Sequence, residues 1–420
     1  MERLEQYDVA VVGGGTAGCA AAAGAAMAGA RVVLIERNAY LGGEATHSGV
    51  GAFCGFTTCG KNPVRVVEGA GSLVLAELEK LGAPAQNRLS AFGNWNISFQ
   101  PEYLKCALDH LLQNLQADLF LHSPVIGAQT EKNRICALNC VDDEGMFEIR
   151  AKAFVDASGD ANLARLAGAK VMWGDAQGRV QAASLPFRLS GVDITKDMSP
   201  AAVKCAVEQA RNAGMEHLPR ESGFLLTLEG SQVVCALIPS VMPEGLSARE
   251  LTRMEQELRE QAVSYAAALK RYMPGMEHSE LVMIGPSIGL RETRRLVGRT
   301  QLTGEDVLSG RRRADGIARG GWKPEIHRSM TKMATYLAVK EGSWFHIPMG
   351  ALQSETLENL YGAGRMVWAD DTAFAAVRVM GTCFATGHAA GVAAALQADL
   401  GQMPCVEKVR AELQKQRGLV

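Results

Sequence analysis

Three glycines and one acid near the N-terminus are spaced for chemistry on a dinucleotide. Gly13, Gly15 and Gly18 form G-x-G-x-x-G directly after the apolar run Tyr7 to Val12, and Glu36 ends a second apolar run, Val32 to Ile35. In this arrangement Gly13 permits a tight turn, Gly15 lets the backbone approach a pyrophosphate, and Gly18 lets helix and strand pack closely. The pyrophosphate charge sits on the N-terminus of the helix that opens at Thr16 and Ala17. Glu36, 18 residues beyond Gly18, is placed to bond ribose hydroxyls. The plainer alternative is a strand-turn-helix that binds nothing, and it leaves the acid and the spacing unexplained.

Other residues could act on a substrate. The run Arg291-Glu292-Thr293-Arg294-Arg295 could clamp a carboxylate, because guanidinium groups bind carboxylates in bidentate fashion. On an extended strand Arg291, Thr293 and Arg295 would share one face, and Glu292 and Arg294 the other. The competing reading is a salt-bridged strand at a domain junction, with an arginine on Glu292. His346, in Trp344-Phe345-His346-Ile347-Pro348, and His47 could each take a proton; a satisfied buried histidine is the commoner fate. His388 lies inside a helical stretch and reads as structural. Cys54 and Cys59 make C-x4-C, a redox spacing, without the second dinucleotide fingerprint that a flavin disulfide reductase would need. Met380, Gly381 and Thr382 open a helix whose free N–H groups could stabilise negative charge on a bound ring.

The elements that must position these groups follow from patterning. Residues 1–45 read β-α-β, with Gly29 stopping the helix. Pro63 to Leu81 reads as helix, and Pro101 to Leu115 as an amphipathic helix with its leucines on one stripe. Arg134 to Val141 and Met146 to Ala153 read as a hairpin, and Phe154 to Asp160 as a further strand ending in a turn. After Val171 the pattern changes to short strands at Ala183 to Arg188, Phe224 to Leu228 and Gln232 to Ile238, with a charged helix over Ala248 to Tyr272. The last helix runs from Gly381 to a cap at Gly401. The reading is α/β, with a discontinuous nucleotide domain (1–172 and 343–420) and a substrate domain (173–342) holding a mixed or antiparallel sheet.

Bulk properties narrow the field. The chain has 420 residues, 47% hydrophobic and 21% charged, with a formal net charge of -2, so no global field favours nucleic acid or an anionic membrane. No apolar run is long enough to span a bilayer. The 10 cysteines follow no disulfide or zinc pattern, so no metal is expected. The motif begins within 15 residues of Met1, and a cytoplasmic location is the expectation.

Taken together, five ordered segments resemble the FAD-dependent oxidoreductases of the glutathione-reductase-type flavoprotein superfamily, relatives of fumarate reductases and hydroxylases. They are the Gly13 motif with Glu36-Arg37, Leu41-Gly42-Gly43-Glu44-Ala45-Thr46, Val155-Asp156-Ala157-Ser158-Gly159-Asp160-Ala161, Ile288 to Arg295, and Arg378 to Gly391. The resemblance implies a Rossmann-like FAD-binding domain of parallel sheet, helices and a β-meander. It places Gly42, Gly43 and Thr46 beside pyrophosphate and flavin, the backbone at Val125 by the adenine, and Ser158, Gly159 and Asp160 over the nucleotide. It also places Gly381 and Thr382 at the flavin edge and Arg291 first among substrate residues. Asp370-Asp371 sits loosely where hydroxylases bind the ribityl chain, which puts Asp371 among the cofactor residues. The implied activity is hydride transfer between a small anionic or polar substrate and FAD. Its alternatives are a flavin monooxygenase and a flavin-binding protein without turnover. The implied partners are a small-molecule substrate and an unidentified electron acceptor, with a homo-oligomer left open.

Overall fold

The computed structural model describes residues 4–90, 93–228 and 231–420. Its centre is a parallel sheet. Leu4–Val12 lies between Val32–Ile35 and Gly145–Asp156, parallel to both, so that Val12 stands opposite Ile35 and Asp156. Asp118–Phe120 extends one side and Leu360–Gly362 the other. All four residues of Val32–Ile35 are buried, as an apolar run covered on both faces requires.

Gly145–Asp156 is one strand of 12 residues, where the patterning suggests two. Its first half pairs antiparallel with Arg134–Asp142, which in turn pairs with Val125–Glu131. Its second half pairs with Leu360–Gly362. No breaker interrupts it, and the change of partner at mid-length imitates a boundary in the sequence. Helix also falls short of expectation after Pro63: it covers only Ala70–Lys80, because Gly69 sits at φ +60° and the preceding residues form an irregular turn.

The Ala-rich helix Thr16–Met27 packs against the C-terminal helix Met380–Leu400. A Cβ at Gly387 or Gly391 would run into the backbone carbonyls of Ala17 and Ala21. Small residues therefore let two backbones touch, and most of both helices is buried. Among the described residues no single helix is long and apolar enough to cross a membrane; Asp371–Val377 and Met380–Leu400 reach that composition only as a pair bent by 93°.

The second large sheet is antiparallel, in the order Phe224–Thr227, Val234–Leu237, Phe187–Ser190, Glu280–Ile284. The helix Ala248–Tyr272, capped by Ser247 on the Glu250 N–H, buries Ala262, Tyr265, Ala268 and Leu269 in the core beneath this sheet. Further two-stranded ribbons pair Glu325–Ile326 with Thr335–Tyr336 and Gly316–Gly320 with Phe345–Pro348. The chain is thus a mixed α/β protein with one largely parallel sheet and several antiparallel ones.

Candidate active site: a long cleft and a cation-lined chamber

Val12, Ile35, Asp156 and Gly362 end their strands on one side of the parallel sheet, and a cavity of about 880 Å³ opens there. Open α/β sheets bind ligands at such carboxyl ends. Gly13, Gly15, Thr16, Ala17, Glu36, Arg37, Gly43, Val125, Ser158, Gly159, Asp160 and Met380 all line it, and so does His47. Gly13 has φ +100°, and a Cβ there would stand 2.6 Å from the Ala157 carbonyl oxygen. Gly15 differs: its Cβ would meet only the Gly43 Cα, at 3.8 Å. Its Cα face is therefore open for close approach, as a pyrophosphate beside the Thr16–Met27 N-terminus requires.

The carboxylate of Glu36 is fixed by three donors: the Gly14 N–H at 2.6 Å, and the Asn38 N–H and Nδ2 at 2.9 and 2.7 Å. It ties the glycine turn to the end of the second strand and still borders the cleft. The opposite wall is organised by Asp156, wholly buried, which accepts from Ser158 N and Oγ and from Ala164 N. Asp160 then meets Thr293 Oγ1 at 2.7 Å and Arg365 Nη2 at 2.5 Å, while Arg365 Nη1 reaches Glu44 at 3.0 Å. Arg365 was not singled out by the sequence. It follows a glycine turn, Gly362 to Gly364, whose strand character is the only hint of its place.

Several expected cofactor residues lie elsewhere. Gly18 is behind the turn, where a Cβ would strike the Gly13 carbonyl. Gly42, at φ +114°, faces Thr46, and Thr46 turns its hydroxyl to the Leu41 carbonyl at 2.7 Å instead of the cleft. Gly381 packs on the backbone of Cys54 to Phe56, with a would-be Cβ 2.6 Å from each of three backbone atoms. Thr382 is fully buried and its Oγ1 has no partner. From that helix end, Met380 and Cys383 reach the cleft. Asp371 binds Arg295 at 3.0 Å and Arg328 at 3.4 Å, away from the cleft, because the helix it opens is capped by Asp370 and turned toward the arginines.

The arginine run is not a continuous strand; extended pairing begins only at Arg294. Glu292 and Arg295 therefore meet each other at 2.6 Å, both essentially without exposure, instead of pointing apart. Arg294 bonds the Asp160 carbonyl and Asn162, and Thr293 bonds Asp160. Arg294 also borders the cleft, and Arg291 is the member that faces a different cavity.

That cavity is a second chamber of about 190 Å³. Arg220, Arg291, Arg378, Glu325, His327 and Cys54 line it together with apolar Val50, Ala52, Phe224 and Leu237. Glu44, Leu290, Arg365, Arg378 and Met380 line both spaces, so the chamber and the cleft share a wall. Arg291 is set by mutual backbone bonds between Ser184 and Gly289, and its Nη1 donates to the Ala182 carbonyl at 2.6 Å. Arg220 is set by Tyr265 of the long helix, which accepts from its N–H and donates to its carbonyl at 2.6 and 2.7 Å. Arg378 Nη2 donates to the Glu325 carbonyl at 2.9 Å. The Nε atoms of Arg220 and Arg378 are buried without partners.

Burial, with Arg378 and Arg220 close by, pushes the Arg291 guanidinium down to about 9. Burial and then Arg291 push His327 down to about 3. Burial alone would raise Glu325, but the hydrogen bond from His327 and the charges of Arg378 and Arg291 hold it far below the usual carboxylate range. Around the chamber the arginines outnumber the carboxylates by two. Such a space favours an anion.

The other chemical candidates separate. His47 belongs to the cleft, stacked on Tyr40 at 4.3 Å with Nε2 3.1 Å from the Tyr40 carbonyl, and burial lowers its pKa. His346 lines neither cavity: its strand pairs it with Arg319, its Nδ1 sits 3.0 Å from the Arg313 backbone, and burial pushes it down to about 4. Cys54 and Cys59 are free thiols, raised by burial. His388 bonds Gln416 at 2.8 Å inside the core.

No curated protein matches the chain. Among solved structures, it is similar to a geranylgeranyl bacteriochlorophyll reductase-like protein from Thermoplasma acidophilum, with 15% identity, 99% of this chain and 83% of that one covered, and a TM-score of 0.47. It is similar to the anhydrotetracycline hydroxylase OxyS from Streptomyces rimosus, with 13% identity, 98% and 66% covered, and a TM-score of 0.48. A third likeness is to the myxobacterial chondrochloren halogenase CndH, with 15% identity, 98% and 79% covered, and a TM-score of 0.44. The model of the FAD dependent oxidoreductases matches residues 8–416, and the chain belongs to that family.

Proposed function

We propose that this FAD-dependent oxidoreductase moves a hydride between a small anionic organic molecule in the chamber and FAD held along the cleft. The observation that carries the reading is the shared wall of Glu44, Leu290, Arg365, Arg378 and Met380. Bound FAD supplies the two-electron acceptor. Gly13, Gly15 and the helix start at Thr16 and Ala17 would hold its pyrophosphate, Glu36 and Arg37 its ribose, and Val125 its adenine. Ser158, Gly159 and Asp160 would close the cleft, with Gly43 and Met380 toward the ring. In this reading residues 1–172 and 343–420 serve the cofactor, and 173–342 bring Arg220, Arg291, Glu325 and His327 to the substrate. Arg291 anchors the anion, Arg220 and Arg378 offset its charge, and the apolar wall excludes water. His47 stays on the cofactor side and His346 has no part.

The test is anaerobic bleaching of the flavin spectrum by a panel of small hydroxy and amino acids. Bleaching by acids but not by the matching neutral alcohols and amides is expected. Arg291→Met should raise the half-saturating acid concentration about 100-fold, since truncating one side of a buried charge contact costs 2 kcal/mol or more. Equal bleaching by the neutral analogues would overturn the anionic substrate.

A second reading, a flavin monooxygenase, is favoured by the apolar wall of Val50, Phe224 and Leu237, which suits an aromatic ring. NAD(P)H oxidation and oxygen uptake stimulated by an aromatic acid, with hydroxylated product formed, would establish it over the first.

A further inference from the structure

The structure holds one histidine oriented by a carboxylate and facing the chamber. His327 Nε2 lies 3.0 Å from Glu325 Oε1, the same oxygen receives Tyr336 OH at 3.1 Å, and Glu325 Oε2 receives Trp322 Nε1 at 3.2 Å. With Glu325 ionised, Nε2 carries the proton in that contact, and Nδ1 is left as the basic atom. Among the described residues no hydrogen bond engages Nδ1. The backbone around the ring is pinned on both sides: the His327 N–H donates to Gln181 Oε1 at 3.0 Å and its carbonyl accepts from Ala182 at 2.9 Å. Ala182 is also the carbonyl that holds Arg291. The histidine and the anion anchor are therefore fixed by neighbouring residues of one segment.

We infer that His327 is the proton acceptor of this site, oriented by Glu325 and made basic by the substrate's own negative charge. This rests on the proposed oxidation of an anionic substrate. A substrate O–H or N–H bond breaks with its proton passing to Nδ1. Its electron pair becomes the new C=O or C=N bond as the adjacent C–H leaves as hydride for FAD, the oxidant. The neutral imidazole ends as imidazolium, and one proton and one hydride have left the substrate.

The charges explain why the anion is needed. Arg291 and Arg378 face the imidazole as cations, with Arg220 on the same chamber wall. Glu325 faces it as the single close anion, Tyr336 shares that anion, and Glu44 is committed to Arg365 and Ser48. In the empty chamber the cations outweigh the anion, and the ring stays neutral but weakly basic. A carboxylate on Arg291 cancels the nearest cation, which raises the pH at which His327 takes a proton by roughly 1 to 3. A neutral analogue leaves the cation in place and the histidine a poor base. Selection for anionic substrates would then act on the proton step as well as on binding.

The experiment follows side-chain nitrogen resonances of ¹⁵N-histidine-labelled holoenzyme over pH 3 to 8, with acetate, succinate or benzoate, and with succinamide as the neutral control. Perturbation of the flavin absorption reports binding separately. His327→Gln assigns the resonance, and Glu325→Gln assigns it by displacement if His327→Gln does not fold. The expected result is a His327 titration moved upward by at least one pH unit, a tenfold change in proton affinity, by a bound carboxylate and not by succinamide. A carboxylate that binds without moving the titration would overturn the inference and leave the proposed function standing. A panel in which no carboxylate binds would overturn the anionic reading beneath both.

Discussion

In the cleft, much of the surface that meets the cavity is backbone and small side chain: glycine turns, a helix start, the ends of parallel strands. In the chamber, charged side chains meet the cavity, brought from Arg220, Arg291, Glu325, His327 and Arg378 on separate segments. The charges differ in the same way. Arg365, on the shared wall, is ion-paired with Asp160 and Glu44, whereas Arg220 and Arg378 make no ion pair among the described residues; all three keep a buried Nε without a partner. A buried cation left partly unpaired is costly, and a ligand that completes it recovers that cost. In the proposed reading the cleft takes the long cofactor and the chamber the small anion.

The largest effect should come from a buried ion pair that lines neither region. Arg295 is fully buried, holds Glu292 at 2.6 Å and Asp371 at 3.0 Å, and donates to the Ala369 and Gly174 carbonyls. Arg295→Met leaves Glu292 as an uncompensated buried charge, and a loss of about 3–5 kcal/mol in stability is expected by denaturant unfolding. Because burial already raises the Glu292 carboxyl, protonation should return part of that loss at lower pH. A variant as stable as the parent would mean that Glu292 carries no charge in the folded protein.

Gly15→Val separates cleft from chamber. The added Cβ meets only Gly43 Cα, at 3.8 Å, on the cavity side, so the flavin-free chain should fold with little change in melting temperature. FAD affinity should fall at least about 100-fold, near 2.7 kcal/mol, by loss of backbone approach to the pyrophosphate. Gly13→Val is not equivalent, since its Cβ would press on Ala157 and its φ is +100°; there stability should fall with affinity. Equal flavin content in Gly15→Val and parent protein would move the pyrophosphate elsewhere.

Histidines sharpen the comparison through pH. His327 in the chamber and His346 outside it are both pushed down, to about 3 and about 4, from an unfolded value near 6.5. Between those values the unfolded chain binds protons that the folded chain refuses, so stability should fall as pH drops from about 6.5 toward 4. Denaturant unfolding at pH 7 and pH 5 measures the slope, and His346→Gln should flatten it without touching flavin binding. A slope unchanged in that variant would show that His346 takes its proton without unfolding.

The same contrast explains what the sequence made legible. The glycine motif, Glu36 and the Asp156 to Asp160 turn encode a backbone path, and a path is local: a few residues at fixed spacing specify it. The long helix Ala248–Tyr272 was legible too, as one long charged stretch with its bounds in place. The chamber was not legible. Glu325 and His327 lie in a short ribbon without apolar periodicity, and Arg220 precedes a strand with nothing to mark it. Only Arg291 stood out, inside a run whose Glu292 and Arg295 pair with each other and whose Arg294 borders the cleft instead. Thr46, Gly381 and Thr382 are a different case: each side chain or Cα face turns into the protein.

The smallest expected effect tests that last distinction. The start of Met380–Leu400 borders both cavities through Met380, while Thr382 is sealed behind it with an unpartnered hydroxyl. If the helix end acts on bound flavin through backbone N–H groups, the threonine side chain is dispensable. Thr382→Val keeps the shape and removes a buried polar atom that bonds nothing, so stability should change by less than about 1 kcal/mol and more plausibly upward. The flavin spectrum and FAD affinity should match the parent. A Thr382→Val protein with a shifted flavin spectrum or weakened FAD would show that the hydroxyl turns to the ring when FAD is bound, and would return to this residue the role that its motif implies.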